Sequence, residues 1–205
     1  MQLLPASDSS VLAVLGDTIS EPVNAAVIRL FRALDAASPA WLENLHPAYT
    51  TLLIDFDPGR ATHGEVMDFA RWLPLSERAD AAGKTVQLMV EYRGEDIEEV
   101  ARIHGLTVEN IKQLHSSAAY RVAFLGFAPG FAYLMGLPEA LATPRLATPR
   151  LRVPAGSVAI GGSQTGVYPA DSPGGWRIIG RLAGERQTLP PDWVTPGDQV
   201  RFVAV

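Results

Sequence analysis

A tandem repeat, LATPR at residues 141–145 and again at 146–150, sets guanidinium groups at Arg145 and Arg150, and Arg152 follows closely. A planar guanidinium fork matches a carboxylate or a phosphate, two hydrogen bonds at a time. Pro144 and Pro149 fix the backbone before each arginine, and such rigidity pre-organises a site. Arg145 and Arg150 are therefore candidate catalytic cations, against the alternative of solvated arginines on a stiff loop. In an extended chain, period-two alternation turns Arg152 with Arg150. His115, followed by Ser116 and Ser117, is the third candidate, an acid or base near neutral pH, or else a structural histidine ending a helix.

Two loops could form the walls of a binding site. One is GFAPGFAYL at 126–134, with Phe127, Pro129 and Gly130. The other is YPADSPGGW at 168–176, with Tyr168, Gly174, Gly175 and Trp176. Aromatic rings interleaved with Gly and Pro either close a β-barrel or line a groove, and paired glycines allow close approach of a ligand. Between them, Gln164 and Thr165 could donate hydrogen bonds to a small polar substrate. Their stretch, GGSQTG at 161–166, is either an anion cradle of backbone N–H groups or a plain hairpin turn.

Other chemistries are excluded. The chain has no cysteine, so it has neither disulfides nor thiolate metal sites. The four histidines lack ligand spacing, and no metal site is expected. There is no GxxxxGK[ST], no HExxH and no GxSxG. The net charge of −5 argues against nucleic acid. The acidic excess lies in residues 1–117, whereas 118–205 are net basic through arginine alone. No apolar run is long enough to span a membrane, and residues 1–10 lack the basic and apolar regions of a signal peptide. A cytoplasmic protein is expected.

The elements that must position these residues fall in two groups. Strands are expected at 11–15, 41–45, 50–56 and 85–92, and helices at 21–37 and 62–81, the first with Ser20 as a possible cap and the second broken at Pro74. This reads as a small α/β domain over 1–83. Residues 84–205 read as a second, β-rich domain. Within it, 95–116 form two short helices around Gly105, whose acidic residues do not suit a DNA-reading pair. Strands follow at 120–124, 158–160, 166–168, 177–182 and 199–203, short and separated by turn residues. The fold class is α+β.

The same segments carry a family resemblance. GFAPGFAYLMGLP, the repeated PR pairs, VPAGSVAIGGSQTGVYP and SPGGWRIIGR resemble the C-terminal half of the family known as KipI, allophanate hydrolase subunit 1 or the B-type subunit of 5-oxoprolinase. The likeness covers about 86–202 and is strongest over 114–181. It implies a cyclophilin-like β-barrel after an α/β domain, and it marks Phe127, Pro129, Gly130, Arg145, Arg150 and Pro154 as signature positions. Ser157, Gln164, Tyr168, Gly174, Gly175 and Trp176 are marked in the same way. It further implies one subunit of an ATP-dependent 5-oxoprolinase, a hydrolase converting 5-oxoproline and ATP to glutamate, ADP and phosphate, or of a related amidase. The implied partners are a carboxyltransferase-type subunit and a hydantoinase-like subunit, the substrate a small carboxylate or lactam. ATP would be used by the complex, since this chain has no P-loop, and the isolated chain would be inactive. The alternative is a KipI-like regulator that inhibits a histidine kinase. A free-standing prolyl isomerase rests on fold analogy alone. Two stretches depart from the family pattern. EYRGEDI at 91–97 replaces a YGGEFGPDL-type loop, and LAGERQTL at 182–189 replaces T-P-L-x-L-F. Both lie beside the signature loops and bear on substrate and partner.

Overall fold

Alternating burial along short strands builds the first layer of the structure, a computed structural model that describes residues 1–75, 83–184 and 188–205. By internal contacts the chain separates into Met1–Ala81 and Ala82–Val205. The expected junction at 82–84 lies partly outside the described residues.

The first unit contains β1 (Gln2–Ser7), β2 (Ser10–Val14), α1 (Glu21–Ala37), β3 (Leu42–Pro47), β4 (Thr51–Phe56) and α2 (His63–Trp72). Its antiparallel sheet has the order β1-β2-β4-β3. Val11 and Ala13 of β2 and Leu52, Ile54 and Phe56 of β4 alternate onto one face, where they bury against Val27, Leu30 and Leu34 of α1 and Val66 and Ala70 of α2. Ser20 stands at the N-cap of α1, but its side chain makes no capping bond; Pro22 in the first turn and a left-handed Ser38 define the helix ends. α2 starts with a full capping box between Thr62 and Glu65. It stops at Trp72, just before the expected break at Pro74. Leu73 is extended, the conformation that the following proline imposes. The rest of the expected helix, 76–81, lies outside the described residues.

The second unit begins with β5 (Thr85–Glu91), α3 (Ile97–His104) and α4 (Val108–Ser117). Gly105, with φ 64°, ends α3, and Thr107 caps α4. Strands β6 (Tyr120–Leu125), β7 (Ala132–Met135), β8 (Arg150–Val153), β9 (Ser157–Gly161) and β10 (Gln164–Val167) follow. The unit ends with β11 (Ser172–Gly174), β12 (Arg177–Leu182) and β13 (Gln199–Ala204). Among the described residues seven strands close a barrel in the order β10-β7-β6-β13-β5-β12-β9. All neighbours are antiparallel except β5 and β13, which run parallel over six paired positions. Val122, Leu134, Val158, Ile160, Val200 and Phe202 fill the interior, and the helix pair packs on β12 and β13. β8 and β11 form a separate ribbon. The fold is α+β with a closed barrel. No helix among the described residues is long and apolar enough to cross a membrane.

Candidate functional site

The ribbon and the two Gly/Pro loops meet over β9 and β12 and enclose a cleft of ≈ 150 Å³. Its walls are aromatic. Phe131 makes edge contacts with Tyr133 at 5.1 Å, Tyr168 at 5.3 Å, Trp176 at 5.4 Å and Phe127 at 5.6 Å between ring centroids. Edge-to-face rings at these distances hold one another by quadrupole attraction as well as by buried area. Gly161 leaves space for the indole of Trp176: a Cβ there would lie 2.5 Å from the ring. Gly174 does the same for the Tyr168 phenol. Burial pushes the Tyr168 pKa up, so its hydroxyl stays protonated.

Phe127 stands at the mouth, 61% exposed, with φ 70°. A non-glycine side chain is strained in that region. The surrounding loop over-determines it: Gly126 N–H donates to Phe131 O, Phe131 N–H to Ala128 O, and Trp193 Nε1–H to Gly130 O at 2.7 Å.

One cation enters the cleft. The guanidinium carbon of Arg145 lies 5.5 Å from the Trp176 ring centroid, and Arg145 pairs with no carboxylate among the described residues. The neighbouring arginines are engaged. Arg150 donates to Asp96 at 2.6 Å and lies 3.4 Å from Glu95; Arg152 pairs with Asp171; Arg177 pairs with Glu99. Asp96 also accepts the Ile178 N–H at 2.6 Å, so Arg150 belongs to the joint between α3 and β12.

The structure thus gathers Phe127, Arg145, Tyr168, Gly174, Gly175 and Trp176 at one cleft. Leu146 and Pro149 complete its wall, and the sequence carries no signal for them beyond their place in the repeat. Other candidates sit elsewhere. Pro129 and Gly130 border a shallow depression beside Pro191. Thr165 is fully buried and points into the barrel, so alternation turns the half-buried Gln164 outward. The GGSQTG stretch is the hairpin joining β9 to β10. Gly162 N–H donates to Thr143 O, so the turn does not offer that donor to a phosphate.

His115 is 0% exposed, inside the barrel. Its Nε2 lies 2.9 Å from Thr165 Oγ1, and its Nδ1 lies 2.7 Å from Tyr92 Oη. Thr165 Oγ1 donates onward to Ala159 O, so it accepts from an Nε2–H, and Nδ1 accepts from Tyr92. Burial holds the His115 pKa down to about 3. The imidazole is neutral, has both nitrogens bonded, and does not face the cleft. Among the described residues no cluster of His, Cys, Asp or Glu could hold a metal ion.

A family description, carboxyltransferase domain, subdomain C and D, matches residues 1–185. The chain belongs to that family. It is 36% identical to the B-type subunit of 5-oxoprolinase from Bacillus subtilis over 225 residues, spanning 100% of this chain and 92% of that one. It is 48% identical to the corresponding 5-oxoprolinase subunit of Escherichia coli O157:H7 over 139 residues, 65% of this chain and 64% of the relative. Among solved structures, TTHA0988 superposes with a TM-score of 0.85 at 38% identity, over 96% of this chain and 40% of that longer one. The urea carboxylase of Kluyveromyces lactis shares the fold, with a TM-score of 0.75 at 18% identity, over 99% of this chain and 21% of that one. The carboxyltransferase C/D fold is thus met both as a separate chain and as part of much longer ones.

Proposed function

We propose that the chain is the B-type subunit of an ATP-dependent 5-oxoprolinase, or of a closely related amidase complex, and that it holds the carboxylate-bearing lactam. The observation that carries the reading is Arg145, an arginine without an acidic partner among the described residues, laid on Trp176 in a ring-lined cleft. The relatives named as B-type subunits of 5-oxoprolinase support the same role and favour it over a kinase-inhibitor role.

The chemistry divides between subunits. A lactam is resonance-stabilised and resists water; phosphorylation of its oxygen makes the carbonyl carbon electrophilic, and water then opens the ring. Overall, 5-oxoproline, ATP and two waters give glutamate, ADP and phosphate. This chain lacks a P-loop, and the Gly162 N–H of the β9–β10 hairpin is engaged, so ATP is assigned to a partner: a hydantoinase-like subunit acting with a carboxyltransferase-type subunit. Here Arg145 would pair with the substrate carboxylate, and the aromatic walls of the cleft would enclose the ring. Binding energy gathered there orients the carbonyl for the partner's chemistry. His115 and Arg150 are assigned to holding the barrel and the α3 joint.

The test is to co-express the three subunits and measure 5-oxoproline-dependent ADP release with and without this chain. Turnover that requires this chain, with KM for 5-oxoproline raised in Arg145→Ala, is expected. A folded, co-purifying complex indifferent to the chain would overturn the assignment.

A further inference from the structure

A second recess, of ≈ 210 Å³, opens on the barrel beside β12. Arg181 of β12 is registered opposite Ser157 of β9 on one side and Glu91 of β5 on the other, so the three side chains share one row of the outer surface. Glu91 is taken by Arg93. Arg181 has no ion pair among the described residues; Asp171, a carboxylate that feels its charge, is held by Arg152 and the Ala155 N–H. Ser157, only 3% exposed, lines the recess, and no hydrogen bond engages its hydroxyl among the described residues. At the same rim stands Glu95. Its link to Arg150 is loose, at 3.4 Å, because Asp96 holds that guanidinium at 2.6 Å. Glu95 is 66% exposed and retains acceptor capacity.

The recess is therefore lined by two guanidiniums, Arg181 without an ion pair and Arg93 paired with Glu91, beside a buried hydroxyl, and it has one carboxylate, Glu95, at its rim. A polyphosphate would meet too little positive charge and would face Glu95. A zwitterion meets complementary groups at both ends. We propose that this recess is a second ligand site, separate from the aromatic cleft, which binds a free α-amino acid with its carboxylate on Arg181 and the Ser157 hydroxyl and its ammonium toward Glu95. The walls favour a small ligand: Gly94 lies against the β12 backbone at Ile178, with no room there for a Cβ, and Pro154 stiffens another part of the lining. This site stands apart from the subunit role above, and its test does not use turnover.

The experiment is a titration of the intact, isotopically labelled chain with glutamate, followed by backbone amide shifts at 93–95, 157 and 180–182. Saturation in the millimolar range is expected. Arg181→Gln and Ser157→Ala should each weaken it about tenfold or more, as expected for loss of a charge-assisted bond. Arg145→Ala, in the other cleft, should leave it unchanged. Glutarate, which lacks the ammonium, should bind more weakly than glutamate, and Glu95→Gln should erase that preference. Unperturbed spectra for the variants without ligand secure the comparison. Absence of saturable shifts, equal binding of glutarate, tighter binding of inorganic phosphate, or undiminished binding in Arg181→Gln would each overturn the proposal.

Discussion

Tyr92 Oη lies 2.7 Å from Nδ1 of His115, across a barrel interior that leaves the imidazole no contact with water. The folded protein resists protonating this histidine until the pH reaches about 3, whereas an ordinary histidine takes the proton near 6.5. Between those values the unfolded chain binds the extra proton. The stabilisation is complete above about pH 6.5 and is lost progressively below it, at about 1.4 kcal/mol per pH unit. Urea midpoints at pH 7.5, 5.5 and 4.5 should fall accordingly, and His115→Gln should flatten the slope. Parallel curves for wild type and variant would refute a buried neutral His115.

Arg145 and Arg150 occupy matching places in the two LATPR copies yet should behave oppositely. Removing Arg145 forfeits an exposed cation–π contact, a loss of about 1 kcal/mol or less. Its replacement by alanine should leave the melting temperature nearly unchanged and raise KM for a carboxylate substrate. Arg150→Ala strands Asp96, which is 5% exposed, and should cost about 3 kcal/mol. Thermal melts of both variants decide the matter: similar losses would mean that the repeat is a single structural unit.

Gly161→Ala should displace the Trp176 indole, because nothing else in that space can give way cheaply. A destabilisation of about 1–3 kcal/mol is expected, together with loss of ligand binding in the aromatic cleft. Substrate titration followed by calorimetry reads this directly; unaltered affinity would show that Trp176 is not part of the binding wall.

Phe127→Gly relieves a positive-φ strain of about 1 kcal/mol while deleting the ring at the cleft mouth. Stability should be equal or slightly higher and affinity lower. A variant less stable than wild type would show that the ring's contact with Phe131 outweighs the backbone cost.

Local rules make much of the architecture readable. Gly105 marks the bend between α3 and α4, and period-two runs locate most barrel strands. β1 escapes such rules because Pro5 and an exposed burial pattern disguise an edge strand. β7, β8 and β11 escape them because runs of three or four residues among Gly and Pro are too short to establish a period. The aromatic loops can be recognised by composition alone. The separate fates of Arg145 and Arg150 cannot, since Asp96 reaches Arg150 from 54 residues away in the chain. His115 carries the same lesson: the type of the residue suggests acid–base work, but its surroundings, fixed by Tyr92 and Thr165, make it a packed neutral ring.

The parallel pairing of β5 with β13 has a consequence for folding. β13 slots between β5 and β6, bonding to both. Until it docks, the second unit carries two open strand edges and cannot seal its interior, however early its other hairpins form. A chain cut before residue 199 is therefore a natural client for holding chaperones, and β13 acts as the latch that converts an adhesive sheet into a closed one.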